Sequence, residues 1–170
     1  MEILLKAYVY VIFTRQFLCT MALVLSDYFG MVINQASTIP QFVFHQKTNA
    51  YTGIDKQIIL NNKDQWFLLG YFVGDGWIED TKKPDGRHMH KIRFAIANKD
   101  EEYIRSRIST ILPITDKKCS TGLCKKYGCS HFVWYHIFQM FGKYAHGKFI
   151  PEWVQDAPTH FIESFLEGYL

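Results

Sequence analysis

Apolar positions recur along this chain in two different rhythms, and the switches between them mark out its elements. Residues 64–76 (DQWFLLGYFVGDG) are apolar almost throughout, which predicts a buried helix with Asp64 as its N-cap and Gly76 in the left-handed conformation that ends a helix. Residues 77–80 predict a short strand, and residues 81–86, with Pro84-Asp85-Gly86, a turn. Residues 87–97 then alternate with period two and predict a long strand, with Arg87, Met89, Lys91 and Arg93 on one face and His88, His90, Ile92, Phe94 and Ile96 on the other. Helical spacing returns at Tyr103, Ile104, Ile108 and Ile111, behind Asn98 as N-cap and three acids in the first turn, so residues 99–112 predict a second helix. Residues 114–119 and 131–134 predict a second strand pair around a basic, glycine-containing turn, and residues 135–141 a short helix. Helix, two strands, helix, two strands, helix is an α+β order with antiparallel strands.

The first 33 residues are unusually apolar, but Lys6, Arg15 and Asp27 interrupt them. No uncharged run reaches the roughly 18–20 residues that spanning a bilayer requires, so this stretch predicts a buried helix or strand pair and no membrane anchor. We treat residues 1–60 as an N-terminal apolar segment of unassigned role. Four cysteines in 170 residues, without a recognisable leader, fit a reducing, intracellular compartment better than a disulfide framework.

Charge changes the picture more than composition does. The formal charge is only +3, yet 14 of the 19 Lys and Arg residues fall in residues 77–149 against 7 acids, so that stretch carries +7 and the remainder −4. A basic segment of this kind suits a polyanion, because phosphate neutralisation dominates nucleic-acid affinity; a solvated charged surface is the plain alternative. On the strand of residues 87–97 the Arg and Lys face could combine base readout with phosphate contacts, and Lys117, Lys118, Lys125 and Lys126 are candidates for backbone contacts.

Two internal echoes bear on organisation and chemistry. Ile39-Pro40-Gln41-Phe42-Val43 precedes Trp66-Phe67-Leu68-Leu69-Gly70-Tyr71-Phe72, and Ile150-Pro151-Glu152-Trp153-Val154 precedes Phe165-Leu166-Glu167-Gly168-Tyr169-Leu170, which argues for two copies of one supersecondary unit. Gly70 and Gly74, four apart, share a helix face and would let a second helix approach closely, despite the cost of about 1 kcal/mol for glycine within a helix. Asp75 stands out because a carboxylate at a helix C-terminus faces the negative end of the macrodipole. A hard divalent cation such as Mg²⁺ would remove that penalty; an exposed Asp-Gly turn is the alternative.

Residues 68–76 (LLGYFVGDG) resemble the nine-residue LAGLIDADG signature of homing endonucleases, and residues 166–170 (LEGYL) resemble the opening of a second copy. Residues 147–154 (GKFIPEWV) are similar to the Lys-x-Ile-Pro block between the two signatures of intein endonucleases. The resemblance implies a saddle-shaped antiparallel sheet over duplex DNA and two signature helices packed at a pseudo-twofold axis through Gly70, Gly74 and Gly168. It implies metal-dependent cleavage of double-stranded DNA, with Asp75 and the Gly74 carbonyl as metal ligands and Asp75 and Lys148 in catalysis; the strand parity and basic turn read above add Arg87, Lys91, Arg93, Lys125 and Lys126 as DNA contacts. It further implies a first repeat at residues 61–149, the start of a second at 150–170, and the remainder of a longer, intein-containing chain as a partner. The whole would be a pseudo-symmetric monomer, and this chain alone could dimerise. Because the second signature stops before its acid, the expectation is that the chain alone cuts poorly or not at all. The rival reading is a non-catalytic binder, a maturase or a decayed endonuclease. Zinc at Cys119, Cys124, Cys129 and His131 is disfavoured, since the spacing lacks a tight C-x2-C knuckle.

Overall fold

A helix apolar on every side is stable only where other elements cover it on every side, and that requirement organises the molecule. The structure, a computed structural model, describes residues 39–47, 53–84, 86, 88–117 and 122–170. In chain order these form β1 (Gln41–Lys47), β2 (Gly53–Ile59), α1 (Lys63–Asp75), β3 (Gly76–Lys82), β4 (His88–Ala97), α2 (Glu101–Ser109), β5 (Thr115–Lys117), β6 (Cys124–Cys129), α3 (Phe132–Gln139), α4 (Glu152–Gln155) and α5 (Thr159–Tyr169). The apolar first 33 residues, for which the sequence predicts a buried helix or strand pair, lie outside the described residues. Among the described residues no helix is long and apolar enough to cross a membrane. From α1 onward the fold is mixed, with antiparallel sheets, in the α+β order read from the sequence.

The central helix α1 buries every residue from Trp66 to Phe72. Phe72 stacks on Phe138 of α3 at 4.0 Å between ring centroids, and Trp66 stacks on Phe161 of α5 while donating its indole N–H to the Leu60 carbonyl at 2.8 Å. The helix and its cap start two residues earlier than expected. Asn62, and not Asp64, is its N-cap: the Asn62 side chain accepts from the Asp64 amide and Gln65 reaches back to the Asn62 amide, a reciprocal capping box. The Asp64 carboxylate is drawn instead to Arg107 of α2, whose Nε lies 2.6 Å away. Gly76 does not turn left-handed; at φ −99° and ψ 165° it is extended, so α1 passes directly into β3 without a loop.

The strands β3-β4-β6-β5 form one antiparallel sheet, and β1-β2 a separate hairpin. Ile78, Ile92, Phe94 and Ile96 are fully buried against the helices, the face expected from the period-two pattern. Tyr127 of β6 joins them beneath the sheet.

Two expectations in the second half give way to tertiary context. Residues 131–134 are not a strand: the His131 side chain accepts from the Trp134 amide and caps α3, which therefore begins three residues before the expected helix. The partner strand of β5 is β6, within the stretch that reads as a basic turn. Lysines are poor strand formers by propensity, but here alternate residues face the core and the open side, and burial of Tyr127 fixes the register. Asn98 likewise does not cap α2, because its side-chain amide donates to the Gly122 carbonyl and ties the β5–β6 turn to the end of β4.

Candidate functional site

The helices α1 and α5 meet at their glycines. A Cβ at Gly70 would lie 1.8 Å from the Phe165 carbonyl oxygen, and one at Gly168 would lie 2.0 Å from the Phe67 carbonyl oxygen, so backbone touches backbone on both sides of the crossing. Gly74, nearer the exposed end of the pair, is looser: its Cβ would stand 3.3 Å from the Tyr169 carbonyl. Arg107 holds the outer side of the same pair. Its guanidinium joins Asp64 of α1 to Glu167 of α5, the latter at 3.0 Å, and covers the Phe67 ring at 4.2 Å.

At the end of this pair the chain turns into the sheet, and there Lys148 comes within electrostatic reach of Asp75. Lys148 comes from the loop before α4, and its ammonium donates to the carbonyls of Phe72 at 2.6 Å, Val73 at 3.0 Å and Gly76 at 2.5 Å. It thereby satisfies the Val73 carbonyl, which the helix leaves unpaired at its C-terminus, adds a second donor to the Phe72 carbonyl that already accepts from the Gly76 amide, and sets a positive charge on the negative end of the dipole. This ammonium is part of what offsets the unfavourable placement of Asp75. Burial nevertheless pushes Lys148 down to about 8, against the opposing pull of the Asp75 carboxylate. Asp75 is pushed up from the ordinary carboxylate range by desolvation, which the Lys148 charge only partly counters. Asp75 and Gly74 are both exposed, so the carboxylate and the Gly74 carbonyl flank an open helix end.

The open face of the sheet carries Trp77, Glu79, Lys91, Arg93 and Lys126, while Arg87 lies outside the described residues. Lys125 departs from the expected grouping. Adjacent strand residues point to opposite faces, so it projects to the helix side and pairs with Glu101 of α2 at 2.7 Å; it is removed from the sheet-face set. Arg93 is also less free than its position suggests. Its side chain is only 16% exposed, its Nε donates to Glu79 at 3.1 Å, and it lies flat across Gly128 of β6, where a Cβ would come within 2.6 Å of its Nη1.

Glu79 and Trp77 are residues that the sequence reading missed. Burial alone would raise the Glu79 carboxyl, but hydrogen bonds from Trp77 and Arg93 and the Lys91 charge outweigh it and hold the group below its ordinary range. The signal was present as i, i+2 parity in β3, which puts Trp77 and Glu79 opposite Arg93 and Lys91. Lys126 lies over the Trp77 ring, 6.0 Å from its centroid.

Of the thiol and imidazole set, Cys119 lies outside the described residues, Cys124 and Cys129 stand at the two ends of β6, and His131 is occupied as a helix cap. Among the described residues no three His, Cys, Asp or Glu side chains converge as metal ligands.

No protein-family model matches the chain, and no curated protein matches it. Among solved structures it is similar to the LAGLIDADG meganuclease I-AabMI bound to uncleaved DNA, with 21% identity over 46% of this chain and 27% of that one and a TM-score of 0.34. It is also similar to mesophilic variants of the homing endonuclease I-DmoI, with 15% identity, 63% and 59% coverage and a TM-score of 0.44. I-DmoI in complex with DNA and Ca gives 12% identity, 63% and 55% coverage and a TM-score of 0.42. The chain thus spans between about a quarter and three-fifths of the length of these solved chains. Identities and scores this low place no residue of this chain in a role.

Proposed function

We propose that this chain is a LAGLIDADG-type homing-endonuclease unit of the intein-associated kind, acting on double-stranded DNA by hydrolysis of a phosphodiester with a divalent cation, Mg²⁺ in the first instance. The observation that carries this reading is the pairing of the two signature-like segments as helices in backbone contact at Gly70 and Gly168, with Asp75 at their open end beside the sheet face. Two copies of a motif that packs this closely specify one crossing point, and the carboxylate is delivered from it by a helix that cannot slide.

The donor set fits a hard cation. Asp75 is an exposed carboxylate whose desolvated position disfavours its own charge, and the Gly74 carbonyl beside it is an oxygen donor of the kind Mg²⁺ accepts. Asp75 and the Gly74 carbonyl would hold the ion, with water and phosphate oxygens completing its shell. When bound, the ion would polarise the scissile phosphate and lower the pKa of a water molecule. In this reading Lys148 is a positioning residue as well as a charge: its three bonds to the end of α1 fix where Asp75 points, and its ammonium adds positive potential where negative charge develops on phosphorus. Lys91 and Lys126, on the open face of the sheet, contact the DNA backbone, while Arg93 reads a base edge once released from Glu79.

Incubation of this chain, alone and within a protein that completes the second signature, with a randomised duplex library in Mg²⁺ tests this. Recovery of fragments sharing one cleavage sequence from the completed protein, with little or no product from the chain alone, is the expected outcome. Tight duplex binding without any such product would discard the enzyme and leave a non-catalytic nucleic-acid binder, the second reading, which the Glu79-locked Arg93 favours.

A further inference from the structure

The loop at residues 142–149 has no role in the fold that accounts for what it displays. It leaves α3, runs through a single 3-10 turn (Ala145–Gly147), and ends where Lys148 grips the carbonyl end of α1. Its base is closed by the Phe149 amide, which donates to the Phe141 carbonyl at 3.0 Å, and its 3-10 turn by the Gly147 amide, which donates to the Tyr144 carbonyl at 2.8 Å. Gly142 has φ +93°, and a Cβ there would lie 2.1 Å from the Gly147 carbonyl oxygen, so the two ends of the loop press together as only glycine permits.

What this rigid loop presents is unusual for a surface. Tyr144 and Phe149 are each 59% exposed, and Lys143 and His146 are exposed between and beside them. No acidic residue occurs between Asp116 and Glu152. Two exposed aromatic rings flanked by a lysine and a histidine, with no acid in the loop, form a surface that a polyanion can approach without repulsion. The loop also sits beside Asp75 by construction, because its last lysine is bonded to the carbonyls on either side of that residue.

We infer that residues 142–149 form a second contact element for the DNA backbone, separate from the sheet face. Lys143 and His146 engage phosphates of the strand that passes Asp75, and Tyr144 and Phe149 pack against its deoxyribose rings. This rests on the proposed function above and extends it with a site on a different element. Because the loop is already closed at its base, docking costs little ordering entropy. Contacts of this type position the duplex and carry no sequence information, so they act equally on all sequences.

The test is fluorescence anisotropy of a labelled mixed-sequence duplex with the full chain over a range of salt concentrations. It compares wild type, Lys143→Ala/His146→Ala, Tyr144→Ala/Phe149→Ala and, as a control on the sheet, Lys91→Ala. The first double variant is expected to weaken binding about 3- to 10-fold and to flatten the slope of log affinity against log salt by about one to two. The aromatic pair should weaken binding with the slope kept. Unchanged affinity and slope in both loop variants, with binding lost in Lys91→Ala, would overturn the inference and leave the proposed function standing. A wild-type chain with no duplex affinity would instead remove the proposed function itself. Loss of a dimer in Tyr144→Ala/Phe149→Ala by sedimentation, with DNA affinity intact, would reassign the aromatic surface to a second copy of the chain.

Discussion

Lys148 and Asp75 are bound together by electrostatics that a titration can read. Burial holds Lys148 at about 8 in the folded chain against an ordinary 10.5, so between those values the unfolded chain binds more protons. Stability therefore rises with pH across that window, by less than the ceiling of about 3.5 kcal/mol set by about 1.4 kcal/mol per pH unit, because solvent screens a part-exposed ammonium. Urea unfolding of wild type and Lys148→Met between about pH 7 and pH 10 checks this: the difference between the two should grow in favour of wild type as pH rises. Parallel curves would show that Lys148 titrates as an exposed lysine does. Asp75 was legible in the sequence because a carboxylate at the wrong end of a helix is a local anomaly. The three carbonyls that Lys148 holds were not, since they lie 72 to 76 residues away and only the packed chain brings them into reach.

Among the elements, the α1–α5 crossing makes the sharpest demand on sequence. Alanine is preferred to glycine within a helix by about 1 kcal/mol, so a tolerant site would be stabilised by the change. Gly74→Ala, with its nearest neighbour at 3.3 Å, should fall between neutral and that gain. Gly70→Ala meets a carbonyl oxygen at 1.8 Å on a backbone that cannot rotate away, and should lose about 1–3 kcal/mol in thermal or urea unfolding. Equal effects at the two sites would mean that the helices are not in backbone contact. Arg107→Ala should cost about 2 kcal/mol, because it strands Asp64 and Glu167 and uncovers Phe67.

Glycine spacing made this pairing readable from the sequence, and strict alternation did the same for β4. The β5–β6 region was not readable. Its strand is chosen by Tyr127 beneath the sheet and by His131 capping α3, both of which override a lysine-rich, turn-like composition.

At the scale of the whole molecule the basic residues divide into three groups that the net charge hides. Lys125 is spent on Glu101 and Arg107 on Asp64 and Glu167, whereas Lys91 and Lys126 stand on the open sheet face and Lys143 on the loop beside Asp75. Affinity for duplex DNA should accordingly fall with salt by about 0.9 in log units for each phosphate engaged. The charged segment was visible in the sequence as a density of Lys and Arg, but their division into bridging and free residues depends on strand parity and on α2 lying under β6.

The central claim is that Asp75, carried by the paired helices, is the carboxylate on which phosphodiester cleavage depends. Its most direct test is duplex cleavage in Mg²⁺ by wild type and Asp75→Asn, each within a protein that completes the second signature, with affinity measured on the same duplex. Affinity within about twofold and cleavage reduced by at least about 10²-fold is the predicted result. Cleavage by Asp75→Asn at the wild-type rate would contradict it.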